Sequence, residues 1–211
     1  GAALVHAVDQ GAGAPIVYRL GNWAAPFGIV LVADRLSALM VLLAAVLGFA
    51  ALLFSIARWD RAGPRFHVLL QVLLMGVNGA FLTGDLFNLF VFFEVFLAAS
   101  YGLALHGSGT ARVQASLHYI VINLTASLLF LVGAALIYGV TGTLNLADLA
   151  VRIPAVAAQN RALLEAGAAV LGIAFLIKAG MWPLCFWLPR AYGAACAPAA
   201  ALFAILTKVG I

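Results

Sequence analysis

Charge is scarce in this chain. Only 9% of its 211 residues are Asp, Glu, Lys or Arg, and 66% are hydrophobic; a soluble domain carries about 25% charged residues. With a mean hydropathy of +1.15, an ordinary soluble fold is excluded and an integral membrane protein is expected. The formal net charge of +4 does not point to nucleic acid, because the arginines are scattered or held in one short loop and form no basic stripe. Cysteine is nearly absent: Cys185 and Cys196 stand in apolar surroundings and read as small buried thiols, not as a disulfide framework or a metal site. With no cysteine cluster for an iron–sulfur centre and no dinucleotide fingerprint, no cofactor is expected and redox catalysis by this chain is disfavoured. An initiating methionine and a basic leader are missing too. The chain starts at Gly1 and stops at Ile211 inside an apolar run, so it reads as a fragment cut at both ends.

What the chain has in quantity is long apolar runs. Residues 1–33 read as the end of an earlier helix followed by a hairpin-like segment outside the membrane, because Gly11, Gly13, Pro15, Gly21, Pro26 and Gly28 break helices while IVYRL and FGIVLVA suit short strands. Residues 34–211 read as a transmembrane helix bundle. Its spans are expected at about 36–57, 66–83, 86–105, 117–139, 162–189 (broken) and 197–211. Asp34 and Ser37 are placed to satisfy the free N–H groups at the start of the first span. In the second, Gln71 and Asn78 are two turns apart on one face, which suits hydrogen bonding inside a bundle. HGSGTARVQAS reads as a loop, which puts His118 near a helix start at headgroup level, and Asn145 to Val151 reads as a short helix. Arg58, Arg61 and Arg65 cluster in one short connector, which favours that end as the cytoplasmic one and leaves the N-terminal segment outside.

Three ionisable residues break the apolar runs. Glu94 is the ninth residue of LFNLFVFFEVFLAASYGLAL, about 12 Å along a helix that rises 1.5 Å per residue and so near the bilayer midplane. A carboxylate there costs about 2.5–3.5 kcal/mol on insertion scales. The chain's two lysines, Lys178 and Lys208, both lie inside apolar runs as well. Pro183 lies five residues beyond Lys178 and removes a backbone hydrogen bond to residue 179, so the helix is expected to break beside the lysine. Unwound backbone at membrane depth survives only where protein buries it or water lines it, which makes it a candidate site. Each residue alone has a bland explanation: a structural glutamate satisfied by a neighbouring hydroxyl, or lysines snorkelling to the interface. One acid and two bases at membrane depth point together to a charge relay, in which a carboxylate holds a desolvated lysine protonated and their separation lets the proton pass on.

The runs NGAFLTGDLFNLFVFFEVFLAASYGL, YGVTGTLNLADLA and FLIKAGMWPLCFWLP…AILTKVG resemble the antiporter-like family. That family comprises the large subunits of Mrp-type multisubunit cation/proton antiporters and the proton-pumping membrane subunits of respiratory complex I. DLFNLFVFFE and FGIVLVADRLSALM look most similar to the D-type large subunit of the Mrp antiporters. The resemblance covers nearly the whole chain. It implies a fold of two inverted five-helix repeats with interrupted helices, with the first repeat running from about residue 66 and one preceding helix at 36–57. It also implies that Glu94 is the glutamate of the fifth helix, Lys178 the lysine of the broken seventh and Lys208 that of the eighth. Tyr192 stands where many relatives have histidine. The function implied is proton translocation in a sodium or other monovalent cation/proton antiporter, in the bacterial cell membrane, with other antiporter subunits and the lipid bilayer as partners. Two alternatives remain: a proton-pumping subunit of complex I or a membrane-bound hydrogenase, and a purely structural subunit whose ion pairs are static.

Overall fold

The computed structural model describes residues 1–11, 14–107 and 109–210. In chain order it holds α1 (Ala2–Gln10), β1 (Ile16–Arg19), β2 (Val30–Ala33), α2 (Arg35–Ile56), α3 (Phe66–Leu82), α4 (Leu86–Ala104), α5 (Thr110–Thr141), α6 (Leu146–Arg152), α7 (Ala158–Ala179), α8 (Leu188–Ala194) and α9 (Ala197–Val209). Four of these, α2, α4, α5 and α7, are long and apolar enough to cross a membrane, and α3 and α9 are shorter apolar helices. The chain is a polytopic helical membrane protein.

The sequence sets the helix ends. Asp34 caps α2 by accepting from the Ser37 backbone N–H at 2.7 Å, and Ser37 Oγ accepts from the Asp34 N–H at 2.9 Å, a reciprocal capping box. Asp85 caps α4 through the Asn88 N–H at 3.0 Å, and Asn145 caps α6 through the N–H groups of Ala147 and Asp148, each at 3.1 Å.

Burial is reversed relative to a soluble bundle along α2. Small residues (Ala38, Ala44, Gly48, Ala51 and Ser55) face the protein, while Leu39, Leu43, Val46, Phe49 and Leu53 are exposed where lipid would lie. This is how a helix packs when backbones approach through small side chains and large ones face hydrocarbon. Backbones approach closely between α5 and α7. A Cβ on Gly133 would lie 2.8 Å from the Leu171 backbone nitrogen, and one on Gly167 would lie 3.2 Å from the Gly133 carbonyl oxygen.

The two ends of the bundle are tied differently. At the hairpin end, β1 and β2 pair antiparallel with Ile16 opposite Ala33. The α3–α4 turn joins β2 and the α5–α6 connector through backbone bonds from Gly84 N–H to Val30 O (2.8 Å), Leu86 N–H to Leu144 O (2.9 Å) and Leu146 N–H to Gly84 O (2.9 Å). At the opposite end Arg112 donates to the carbonyls of His106 (2.6 Å) and Ala194 (2.8 Å). The buried His106 ring bonds the Trp59 carbonyl at 2.7 Å.

Three expectations are corrected. The helix expected at 117–139 is α5, 32 residues from Thr110 to Thr141, or about 48 Å. It extends well beyond a hydrocarbon core of about 30 Å, because nothing between Thr110 and Ser116 breaks a helix once Gly109 (φ 116°) has made the turn. His118 therefore lies in the third turn, against Phe186. Gln71 does not face the bundle interior: it is exposed, because the packed seam of α3 is Phe66, Leu70, Leu73, Val77 and Ala80. Asn78 is half-buried, and its Oδ1 has no partner among the described residues.

Candidate functional site

The third correction concerns the break beside Lys178, which precedes Pro183 and has another cause. α7 stops at Ala179 because Gly180 adopts the left-handed conformation (φ 64°, ψ 37°). The Gly180 N–H donates to the Ile177 carbonyl at 3.1 Å and the Met181 N–H to the Leu176 carbonyl at 3.1 Å. This is the paired 5→2 and 6→1 pattern of a Schellman motif, which glycine adopts without a Cβ penalty. The Trp187 indole N–H, returning from the 181–187 turn, also donates to the Ile177 carbonyl at 3.0 Å. Helix-end carbonyls that would be unsatisfied at membrane depth therefore have donors.

Lys178 lies in the last turn of α7, its side chain 2% exposed. Its Nζ donates to Ser127 Oγ on α5 at 2.9 Å. Ser127 Oγ in turn donates to Glu94 Oε1 on α4. Nζ and Oε1 are 4.0 Å apart, and Nζ lies 4.7 Å from the centre of the Phe93 ring. The acid and the base thus form an ion pair with a serine hydroxyl between them. The cation's surroundings are a carboxylate, a hydroxyl, an aromatic face and the negative end of α7, all of which favour positive charge. The pair is asymmetric, because the Glu94 side chain is 33% exposed.

The residues around the pair are aromatic and tightly packed. Phe93 and Phe130 lie against Phe175, and Tyr119 stacks on Trp187 and Phe203. The Tyr119 hydroxyl meets Ser100 Oγ at 2.8 Å. The neighbouring Tyr101 hydroxyl is buried with no partner among the described residues. A small cavity of about 10 Å³, lined by Phe93, Asn123, Lys178, Trp187 and Leu206, opens from the lysine toward α9. That is the space one water needs. A larger cavity of about 660 Å³ lies at the hairpin end, with Asp34, Thr83, Asn145 and Asp148 in its wall, and contains none of the three ionisable residues.

Of the three residues singled out in the sequence, the fold brings Glu94 and Lys178 together. Lys208 is elsewhere: it lies in the last turn of α9 with its side chain exposed, and it makes no ion pair among the described residues. Tyr192 donates from its hydroxyl to the Phe203 carbonyl at 2.7 Å and links α8 to α9. Sequence reasoning does not single out Ser127. The available signal is its spacing of four from Asn123, which puts two buried polar residues on one face of an apolar helix.

The family model described as "NADH:quinone oxidoreductase/Mrp antiporter, TM" matches residues 83–211, more than half of the chain. The chain belongs to this family. It is 66% identical over 195 residues to a probable K(+)/H(+) antiporter D-type subunit of Rhizobium meliloti, covering 92% of this chain and 36% of that protein. It is 50% identical over 208 residues to the Na(+)/H(+) antiporter D-type subunit of Alkalihalophilus pseudofirmus, covering 97% and 42% respectively. Among solved structures it is similar to a chain of the Mrp complex from a Dietzia species, with a TM-score of 0.88 and 38% identity over 99% of this chain and 39% of that one. It is also similar to a chain of an archaeal membrane-bound sulfane sulfur reductase, with a TM-score of 0.87 and 36% identity over 96% and 42%. A complex I chain from Thermus thermophilus shares the fold, with a TM-score of 0.72 at 24% identity. The chain thus spans about two fifths of the relatives and solved chains it matches.

Proposed function

We propose that this chain is the proton-handling portion of a D-type antiporter subunit, which couples proton movement to the movement of a monovalent cation, sodium or potassium, within a multisubunit membrane complex. The observation that carries the reading is the Glu94–Ser127–Lys178 bridge, which joins three helices, one of them interrupted just beyond the lysine. A static salt bridge is a poor reason to keep charges there, since desolvating two ions offsets much of their attraction. At 4.0 Å that attraction is about 4 kcal/mol at an effective dielectric of 20. A pair that forms and separates uses the same energy to load and release a proton. Intramembrane acids and bases facing one another commonly mark such relays.

Lys208 is proposed as the next member of the relay. The small cavity beside Lys178 reaches Leu206 on α9, while Lys208, two residues on, faces the other side of that helix, so the proposed passage to Lys208 runs around α9 and not through this cavity. The exposed side chain would then hand the proton beyond this bundle. Relatives with an antiporter name have either potassium or sodium in it, and one of these two ions is proposed for this chain.

The test uses the full-length protein in its assembled complex, in vesicles. Glu94→Gln and Lys178→Ala are each expected to abolish cation-dependent proton flux at normal expression, and Lys208→Ala to reduce it strongly. Wild-type flux in both Glu94→Gln and Lys178→Ala would refute the relay and leave the structural-subunit reading. Similarity to the sulfane sulfur reductase chain supports a second reading, membership of a redox-driven respiratory complex. Co-purification with iron–sulfur subunits would establish it in place of the antiporter.

A further inference from the structure

We infer that the Ser127 hydroxyl conducts the proton between Lys178 and Glu94 and reverses its hydrogen bonds as it does so. The inference rests on the relay reading above and adds to it a residue and a chemical step. Three observations carry it. Ser127 is 5% exposed in the middle of α5. Its Oγ contacts both partners at once, accepting from Nζ at 2.9 Å and donating to Oε1. The ammonium and the carboxylate are 4.0 Å apart, beyond direct hydrogen-bond contact, so among the described residues it is this hydroxyl that bonds to both.

A hydroxyl has one proton to donate and lone pairs with which to accept. While Lys178 is an ammonium and Glu94 a carboxylate, Ser127 must donate to the acid and accept from the base, and its Oγ lies within bonding reach of both. Transfer breaks one N–H bond of Lys178 and forms an O–H bond to Ser127 Oγ. The original Ser127 O–H bond breaks, and its proton forms an O–H bond to Glu94 Oε1. The ammonium becomes an amine, the carboxylate becomes a carboxylic acid, and the serine is regenerated. Its polarity is now inverted: it donates to the Nζ lone pair and accepts from the new Glu94 O–H. No outside reactant is consumed, and the two opposite charges disappear together. Until a proton arrives from elsewhere, the inverted bridge is a neutral state in which the acid and the base no longer attract each other as ions. The bridge therefore works as a latch that relaxes when the proton crosses.

The test compares Ser127→Ala and Ser127→Thr with Glu94→Gln and Lys178→Ala, all in the full-length protein within its complex, with assembly checked by co-purification. Proton flux is read in vesicles, and the infrared carboxylate stretch that Glu94→Gln removes identifies the Glu94 band. Ser127→Ala is expected to lower flux about tenfold to a hundredfold, the effect of losing a hydrogen bond to a charged group, and to shift that band. Ser127→Thr, which keeps the hydroxyl, is expected to hold flux within about threefold of wild type, about a thirtieth or less of a typical acid–base catalytic effect of about a hundredfold or more. Wild-type flux in Ser127→Ala beside inactive Glu94→Gln and Lys178→Ala would overturn this inference and leave the pair standing. Equal losses in the alanine and threonine variants with an unmoved Glu94 band would assign Ser127 to packing and overturn it as well. Full activity of Glu94→Gln and Lys178→Ala would instead refute the relay itself.

Discussion

The seam between α5 and α7 determines how well Ser127 meets Lys178, and a single methyl group tests it. In Gly133→Ala the new Cβ would lie 2.8 Å from the Leu171 nitrogen and 2.9 Å from both the Gly167 oxygen and the Leu171 Cβ. Two of these atoms are backbone, so rotating a side chain cannot relieve the clash. Ordinary contact begins at 3.4 Å, so the helices must part by 3.4 − 2.8 = 0.6 Å. Moved wholly onto the Lys178–Ser127 bond of 2.9 Å, this opens it to about 3.5 Å, the outer limit of a hydrogen bond. Overpacking of this kind costs about 1–3 kcal/mol in stability, and a misplacement of about 1 Å can cost a hundredfold in rate. A fall in flux of about tenfold is therefore expected for a shift of about 0.6 Å. The control is Gly139→Ala on the same helix, where a Cβ would have nothing within 4 Å and the substitution improves helix propensity by up to about 1 kcal/mol. The assay is cation-dependent proton flux in vesicles, with thermal stability of the purified complex alongside. If Gly133→Ala matched Gly139→Ala in both, close backbone approach would not be what positions the bridge.

Further predictions concern the helix ends. Trp187→Phe keeps the aromatic packing but removes the donor to the Ile177 carbonyl; losing about 1 kcal/mol of hydrogen bonding should lower the thermal midpoint of the complex, and an unchanged midpoint would show that another donor replaces it. Asp34→Ala removes the α2 cap, an effect of about 1 kcal/mol, and should increase proteolysis near residue 34. The Ser37 backbone N–H holds the Asp34 carboxyl below its ordinary pKa. A group depressed in the folded state stabilises above its unfolded pKa, about 3.9 for Asp, and that contribution is lost as pH falls through the folded value. Protease resistance at this site should therefore be level near neutrality and decline below about pH 4, with the decline absent in Asp34→Ala.

The membrane helices and the special status of Glu94 and Lys178 are legible in the sequence, because twenty-residue apolar runs have few folded alternatives and a charge within one must be accommodated. The helix start at Thr110 is hidden. The polar letters of HGSGTARVQAS resemble a loop, yet a helix can project beyond lipid without changing its backbone. After Lys178, Pro183 is the more conspicuous breaker, although Gly180 ends α7 first by its left-handed conformation. Polarity alone points Gln71 inward, but a polar residue one position off an apolar seam points away from it. Ser127 cannot be ranked above its neighbours Asn123 and Thr125, because which hydroxyl reaches a partner 51 residues away depends on the helix crossing and not on the local sequence.

The backbone bonds that tie the α3–α4 turn to β2 and to the α5–α6 connector hold one end of α4, and the His106 bonds to Trp59 and Arg112 hold the other. Glu94 is nine residues from Asp85, a lever arm of about 13 Å. A bow that turned this half of α4 by about 5° would carry the Glu94 carboxylate about 1 Å sideways over such an arm, enough to widen a gap of 4.0 Å and detach the acid from its hydroxyl. Because α4 is fastened at both ends, a slight bow between them can still switch the contact at its middle.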